Sequence, residues 1–76
     1  MAIEAYVLIE TIAGKTREVA NSLCKVEHIK AVDIVAGPVD IIIKLDAVDM
    51  TAVGEVVFNE IHAIRGINRT ITCLVK

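Results

Sequence analysis

The 76-residue chain has no tryptophan, one tyrosine, one phenylalanine, one proline and two cysteines. Two aromatic rings give little with which to line the polar or aromatic cavity of a small enzyme. The only histidines, His28 and His62, have no spacing relation to each other or to the cysteines that a zinc site would need. No Ser-His-Asp or Cys-His constellation assembles either, so no catalytic residue, metal or cofactor is expected. Cys24 and Cys73 lie far apart and outside any CxxC. They fit a reduced, cytoplasmic setting, with a disulfide as the lesser alternative. Charge of one sign is also lacking: the net charge is -2 with the charges interspersed, so no basic block offers a footprint for nucleic acid. No apolar run approaches the roughly 18 residues of a membrane span. The opening MAIEAYVLIE carries acids and no basic n-region, which excludes a secretory signal.

What is present is aliphatic. Of the residues, 55% are hydrophobic, above the usual apolar share of about 45–50%. A chain of this length makes one domain and buries only about 60% of its unfolded surface. Apolar surface that does not fit inside so small a body meets a partner, so composition predicts self-association.

The order of elements is legible. Residues 3–11, IEAYVLIET, read as a strand, and Ala13-Gly14 breaks it. Lys15 to Val26 reads as a helix with Val19, Leu23 and Val26 on one face. Residues 28–36 return to strand composition, Gly37-Pro38 turns the chain, and Val39 to Leu45 is a third strand in hairpin with the second. Asp46 or Asp49 is placed to cap a second helix. Its predicted stripe is Met50, Val53, Val57, Ile61 and Ile64, and Gly66 stops it. Residues 67–75 form the last strand. The order βαββαβ predicts a ferredoxin-like α+β sandwich, one four-stranded antiparallel sheet with both helices on one face.

Side-chain alternation divides the sheet. Ile3, Ala5, Val7, Ile9, Ile41, Ile43, Leu45, Ile71, Cys73 and Val75 are expected under the helices. Tyr6, Leu8, Val32, Ile34, Ile42, Thr70, Thr72 and Leu74 are expected on the opposite face. A face left to water is mostly polar, and this one is apolar at its centre. A second sheet is therefore expected against it, giving a dimeric α+β barrel.

Some short patterns have two readings. Ala13-Gly14-Lys15-Thr16 stands where a phosphate loop would, but that loop needs a glycine where Ile9 sits, so the segment reads as a turn and first helical residues. Cys24 reads as a small core residue of its helix. Thr70 and Thr72 lie two apart and share a face; they are either ordinary strand composition or hydroxyls for a polar ligand. In Gly37-Pro38-Val39-Asp40, either the turn is structural, or Val39 and Asp40 N–H groups hold a carboxylate while Asp40 faces an ammonium.

Three segments carry a family resemblance: the opening AYVLIET, the hairpin VDIVAGPVDIIIKLDAVDM, with Gly37 and Asp40 in a Gly-x-x-Asp pattern, and the ending IRGINRTITCLVK, with Gly66, Ile67, Arg69, Thr70 and Thr72 in a closing Arg-Thr-x-Thr strand. In order and spacing they resemble the effector-binding module of the Lrp/AsnC transcriptional regulators. The resemblance implies the βαββαβ fold, a sheet-to-sheet dimer, and further assembly into an octamer or decamer. It implies an amino acid or related small molecule bound between subunits, with Gly37, Pro38, Val39, Asp40, Thr70 and Thr72 contributing, and Glu60 from the second helix. Family regulators carry a helix-turn-helix domain ahead of this module. Here residues 1–76 read as the ligand-binding domain alone, so direct DNA binding is not expected, and association with full-length family regulators is. The alternatives are an ACT-like amino-acid-binding domain, whose first loop is matched only by Gly14, a purely structural oligomerisation module, and a small α+β-barrel enzyme.

Overall fold

The computed structural model describes residues 2–76. The chain runs β1 (Ile3–Thr11), α1 (Thr16–Leu23), β2 (Ile29–Ile34), β3 (Ile41–Ala47), α2 (Met50–Glu55), a π-helical segment (Val56–Ile61) and β4 (Ile67–Leu74). The strands form one antiparallel sheet in the order β2-β3-β1-β4. This is the expected α+β layout, with the helices gathered on one face.

The central strands follow the alternation of the sequence. Ala5, Val7 and Ile9 of β1 and Ile41, Ile43 and Leu45 of β3 are all 0% exposed. Val19 and Leu23 of α1, Val53 of α2, and Val56 and Ile61 of the π-helical segment close the core over them. Each large aliphatic side chain fully buried there stabilises the fold by roughly 1.5–3 kcal/mol relative to exposure.

The edge strands depart from the expected phase, and the cause is one extra residue in each. In β4, Ile67 pairs with Thr11 but Arg69 pairs with Glu10, so Asn68 is bulged out. In β2, Ile29 pairs with Leu45 but Ala31 pairs with Lys44, so Lys30 is bulged out. A one-residue shift exchanges the two faces of a strand. Thr70 and Thr72 therefore sit opposite Ile9 and Val7, on the helical side. Val32 and Ile34 sit opposite Ile43 and Ile41, on the same side. Ile71 and Cys73 instead join Tyr6, Leu8 and Ile42 on the open face.

That open face keeps the expected character despite the exchange. Tyr6 and Ile71 are 41% and 43% exposed, and Leu8 and Ile42 are half-buried. Charge sits at its ends: Glu10 lies opposite Arg69 at one, and at the other Lys44 Nζ lies 3.3 Å from Glu4 and 5.6 Å from the centre of the Tyr6 ring. The hydrogen bond and charge of Glu4, with a smaller contribution from Tyr6, raise the Lys44 pKa above the ordinary lysine value.

The helices are shorter than their sequence patterns. Cys24 caps the C-terminal end of α1 and is exposed rather than part of the core; Val26 packs half-buried beyond it. Asp49, not Asp46, caps α2, accepting from the Ala52 N–H at 2.8 Å. Asp46 lies in β3, opposite Glu4. The second helix then widens: the His62 N–H donates to Val57 O at 2.9 Å, a five-residue step. The extra residue per turn brings Val56 inward beside Ile61, while Met50, expected in the stripe, is 62% exposed.

Gly66 ends the turn before β4 with φ +100°. A Cβ there would lie 2.9 Å from Val19 Cγ2 and 3.0 Å from Lys15 Cβ, so glycine lets the turn press against α1. Among the described residues, no helix is long and apolar enough to cross a membrane.

Candidate functional site

The β2–β3 loop is fastened at Asp40. Its carboxylate Oδ2 accepts from the Thr11 N–H at 2.9 Å. Its own N–H donates to Ile9 O at 3.0 Å, and its carbonyl accepts from the Val35 N–H at 2.9 Å. The Asp40 N–H is thus already engaged, contrary to the expectation that it would be offered to a ligand carboxylate. Val39 is buried and anchors the loop, while Gly37 and Pro38 are exposed at its tip. No backbone acceptor among the described residues takes the N–H of Gly37 or Val39.

The loop and the threonines lie toward the same end of the sheet. Ile41, which follows the loop, pairs with Ile9, and Ile9 pairs with Thr70. Two strand spacings separate them, roughly 10 Å. Thr70 and Thr72 share a face as expected, but it is the helical side, where Thr70 Oγ1 meets His62 Nε2 at 3.0 Å. A cleft of about 440 Å³ opens there, lined by His62, Ile67, Asn68, Arg69 and Thr70.

Glu60 is set apart. It lines a different cavity, of about 330 Å³, with His28, Ala52, Glu55, Val56 and Asn59. The two cavities differ in charge: Glu55 and Glu60 make the first acidic, whereas no acidic residue lines the second.

His62 and Asn68 were not singled out as site residues in the sequence. His62 is exposed, as a surface residue would be, yet the end of the π-helical segment carries it to β4. Phe58 flanks it, with ring centroids 6.3 Å apart. Asn68 is the bulged residue itself, and its side-chain amide donates to Glu10 Oε1 at 2.6 Å. Neither contact has a local sequence signature, because both join segments that only the tertiary fold brings together.

The family model for the Lrp/AsnC ligand binding domain matches residues 4–76. The chain belongs to that family. An uncharacterised helix-turn-helix-type transcriptional regulator of Pyrococcus furiosus is 37% identical over 71 residues, covering 90% of this chain and 47% of the regulator. This Lrp/AsnC domain therefore spans about half the length of the curated relatives it matches. A solved protein of Thermus thermophilus is 26% identical with a TM-score of 0.92, covering 97% of this chain and 92% of that one. A transcriptional regulator of Neisseria meningitidis, solved as a complex with L-Met, shares the fold at 20% identity and a TM-score of 0.87, over 97% of this chain and 49% of that one.

Proposed function

We propose that this Lrp/AsnC domain is an oligomeric module that binds a small molecule, an amino acid foremost, and modulates amino-acid-responsive transcription. The observation that carries the reading is the family match across residues 4–76. The Neisseria regulator's complex with L-Met supports an amino acid as the ligand class. The glycine-tipped loop, Thr70 and Thr72 supply one wall, and a neighbouring subunit supplies the rest. DNA reading falls to full-length relatives with which the module associates, because its charges are interspersed and net -2. A cytoplasmic setting and the absence of catalysis belong to the same reading.

Assembly begins with the open face. Its apolar centre, Tyr6, Leu8, Ile42 and Ile71, gains about 25 cal/mol for each Å² of apolar surface removed from water. A second sheet is the proposed cover, and dimers then join into an octamer or decamer. Asp46 Oδ1, buried on this face with no donor among the described residues, is placed to receive one from that second sheet.

A calorimetric screen of the common amino acids, run beside light scattering, tests both parts. Binding by at least one amino acid and a mass above the monomer are expected. Ile42→Lys on the open face should lower the mass while the circular dichroism spectrum stays folded. Assembly without any amino-acid binding would instead favour a structural oligomerisation module.

A further inference from the structure

The two ends of the open face are unlike, and each is incomplete. At one end stand Glu4, Lys44 and Asp46, on β1 and β3. Lys44 Nζ lies 3.3 Å from Glu4, so the ammonium is already committed within the chain. Asp46 Oδ1 is buried and accepts no hydrogen bond among the described residues. At the other end Arg69 of β4 stands opposite Glu10 of β1. Directly opposed residues share a face, so Arg69 belongs to the open side. β4 is an edge strand, and Arg69 therefore stands at the rim, beside the helical-side cleft as well. Glu10 Oε1 accepts from the Asn68 amide at 2.6 Å, and Arg69 makes no ion pair among the described residues. One end thus holds a buried acceptor without a donor. The other holds a guanidinium, rich in donors, without an acceptor. Tyr6, Leu8, Ile42 and Ile71 lie between them.

We propose that a second copy of this chain covers the open face with its ends reversed, so that Asp46 of each copy receives Arg69 of the other. The proposal rests on the sheet-to-sheet reading above and deepens it, by naming the donor and the direction in which the sheets meet. In a two-fold contact each pairing occurs twice, so both orphaned carboxylates and both guanidinium groups are satisfied together. Glu4 and Glu10, which mark the two ends on β1, are about 20 Å apart at the rise of a strand. The two ion pairs therefore bracket the apolar centre. Asp46 and Arg69 lie on opposite sides of β1, two strand spacings or roughly 10 Å apart across the sheet. Aligned sheets cross at about −30°, which carries the partner's Arg69 toward Asp46, and the long side chain spans the rest. The unreversed arrangement is worse, because it sets Glu4 and Asp46 against their own copies and leaves Arg69 facing another Arg69. A carboxylate sealed in without a donor is costly, whereas a guanidinium meets a carboxylate with two parallel hydrogen bonds.

Charge reversal tests the pairing, with sedimentation equilibrium of the full 76-residue chain reading self-association. Asp46→Arg sets two cations against each other at both ends of a homodimer, and Arg69→Asp does the same with anions. Each variant alone should associate about a hundredfold more weakly, because like charges are juxtaposed at two places. The two variants mixed should associate with each other, since every contact is then between opposite charges. The double variant Asp46→Arg/Arg69→Asp should recover self-association for the same reason. Circular dichroism checks that each variant is folded. If Asp46→Arg does not fold, Asp46→Asn and Arg69→Gln supply a milder cycle. Each should weaken association by about tenfold, and the two together by no more than either one alone. Folded reversal variants that assemble like the wild type, a mixture that stays dissociated, or additive losses in the milder cycle would overturn the pairing and leave the sheet-to-sheet reading standing. A monomeric wild type would overturn both.

Discussion

β1 and β3 lie at the centre of the sheet, and each buries three side chains completely. β2 and β4 lie at its edges, and neither contains a fully buried residue. The bulges fall only on the edge pair, at Lys30 and Asn68. A central strand has partners on both sides and a core above it, so an extra residue would misplace a whole row of buried side chains. An edge strand has one partner and little burial, so a bulge costs less there. Such a bulge also twists the exposed edge away from unwanted pairing. The candidate site grows on the tolerant edge, where the bulge aims Thr70.

Truncation measures the difference directly. Ile43→Ala in β3 should cost about 2–5 kcal/mol of folding stability in urea denaturation, since Ile43 is 0% exposed. A loss below about 1 kcal/mol would mean that the central strands are no more constrained than the edges.

Deleting Asn68 tests the bulge. The edge should slip by one residue and lose the bonds from His62 to Thr70 and from Asn68 to Glu10. At about 1 kcal/mol per bond, the expected loss is about 2 kcal/mol. Unchanged NMR cross-peaks between His62 and Thr70 in the deletion variant would refute the account of the strand's phase.

Asp40→Ala should cost about 1–2 kcal/mol, because the Thr11 N–H loses its charged acceptor. Amide exchange at Thr11 should accelerate. A variant of unchanged stability that lost ligand binding would return Asp40 to the ligand.

The smallest structural effect is expected for Ile71→Ala in β4, below about 1 kcal/mol for the monomer, because the side chain is already 43% exposed. Its effect belongs to assembly, and light scattering reads it. The Glu4–Lys44 pair should add almost no pH dependence. Glu4 raises the Lys44 pKa, so what the pair contributes is present below the unfolded lysine value and lost only as pH rises through the folded one. Thermal midpoints between about pH 6 and 9 should show no step from it, since that window lies below the usual lysine pKa.

The hairpin at Gly37-Pro38 and a capping aspartate at Asp46 or Asp49 were readable because each acts within a few residues of itself. The pairing of Thr70 with Thr72 on one face was readable for the same reason. Gly66, expected to stop the second helix, instead shapes the turn before β4, the helical segment having ended at Ile61. The widening of the second helix was not readable: Ile61 was expected inward, but Val56 is buried more deeply than the expected Val57, and nothing local in the sequence marks the five-residue step.

Element order, the aliphatic core of β1 and β3, and the apolar character of the open face were determined by the sequence itself. Their periodicity is strict, and one face of each central strand has nowhere else to go. Only the tertiary structure decided which face the edge strands present. Residues 67–75 carry most of their apolar side chains on one phase, Ile67, Ile71, Cys73 and Val75, which the pattern alone would turn toward the helices, and a single bulged residue reverses that choice beyond Asn68. Asn68 bonds to Glu10 across the sheet, and Thr70 bonds to His62 from the end of the helix. Those two contacts, made across 58 and 8 residues of chain, favour the phase that turns the threonines toward the helices.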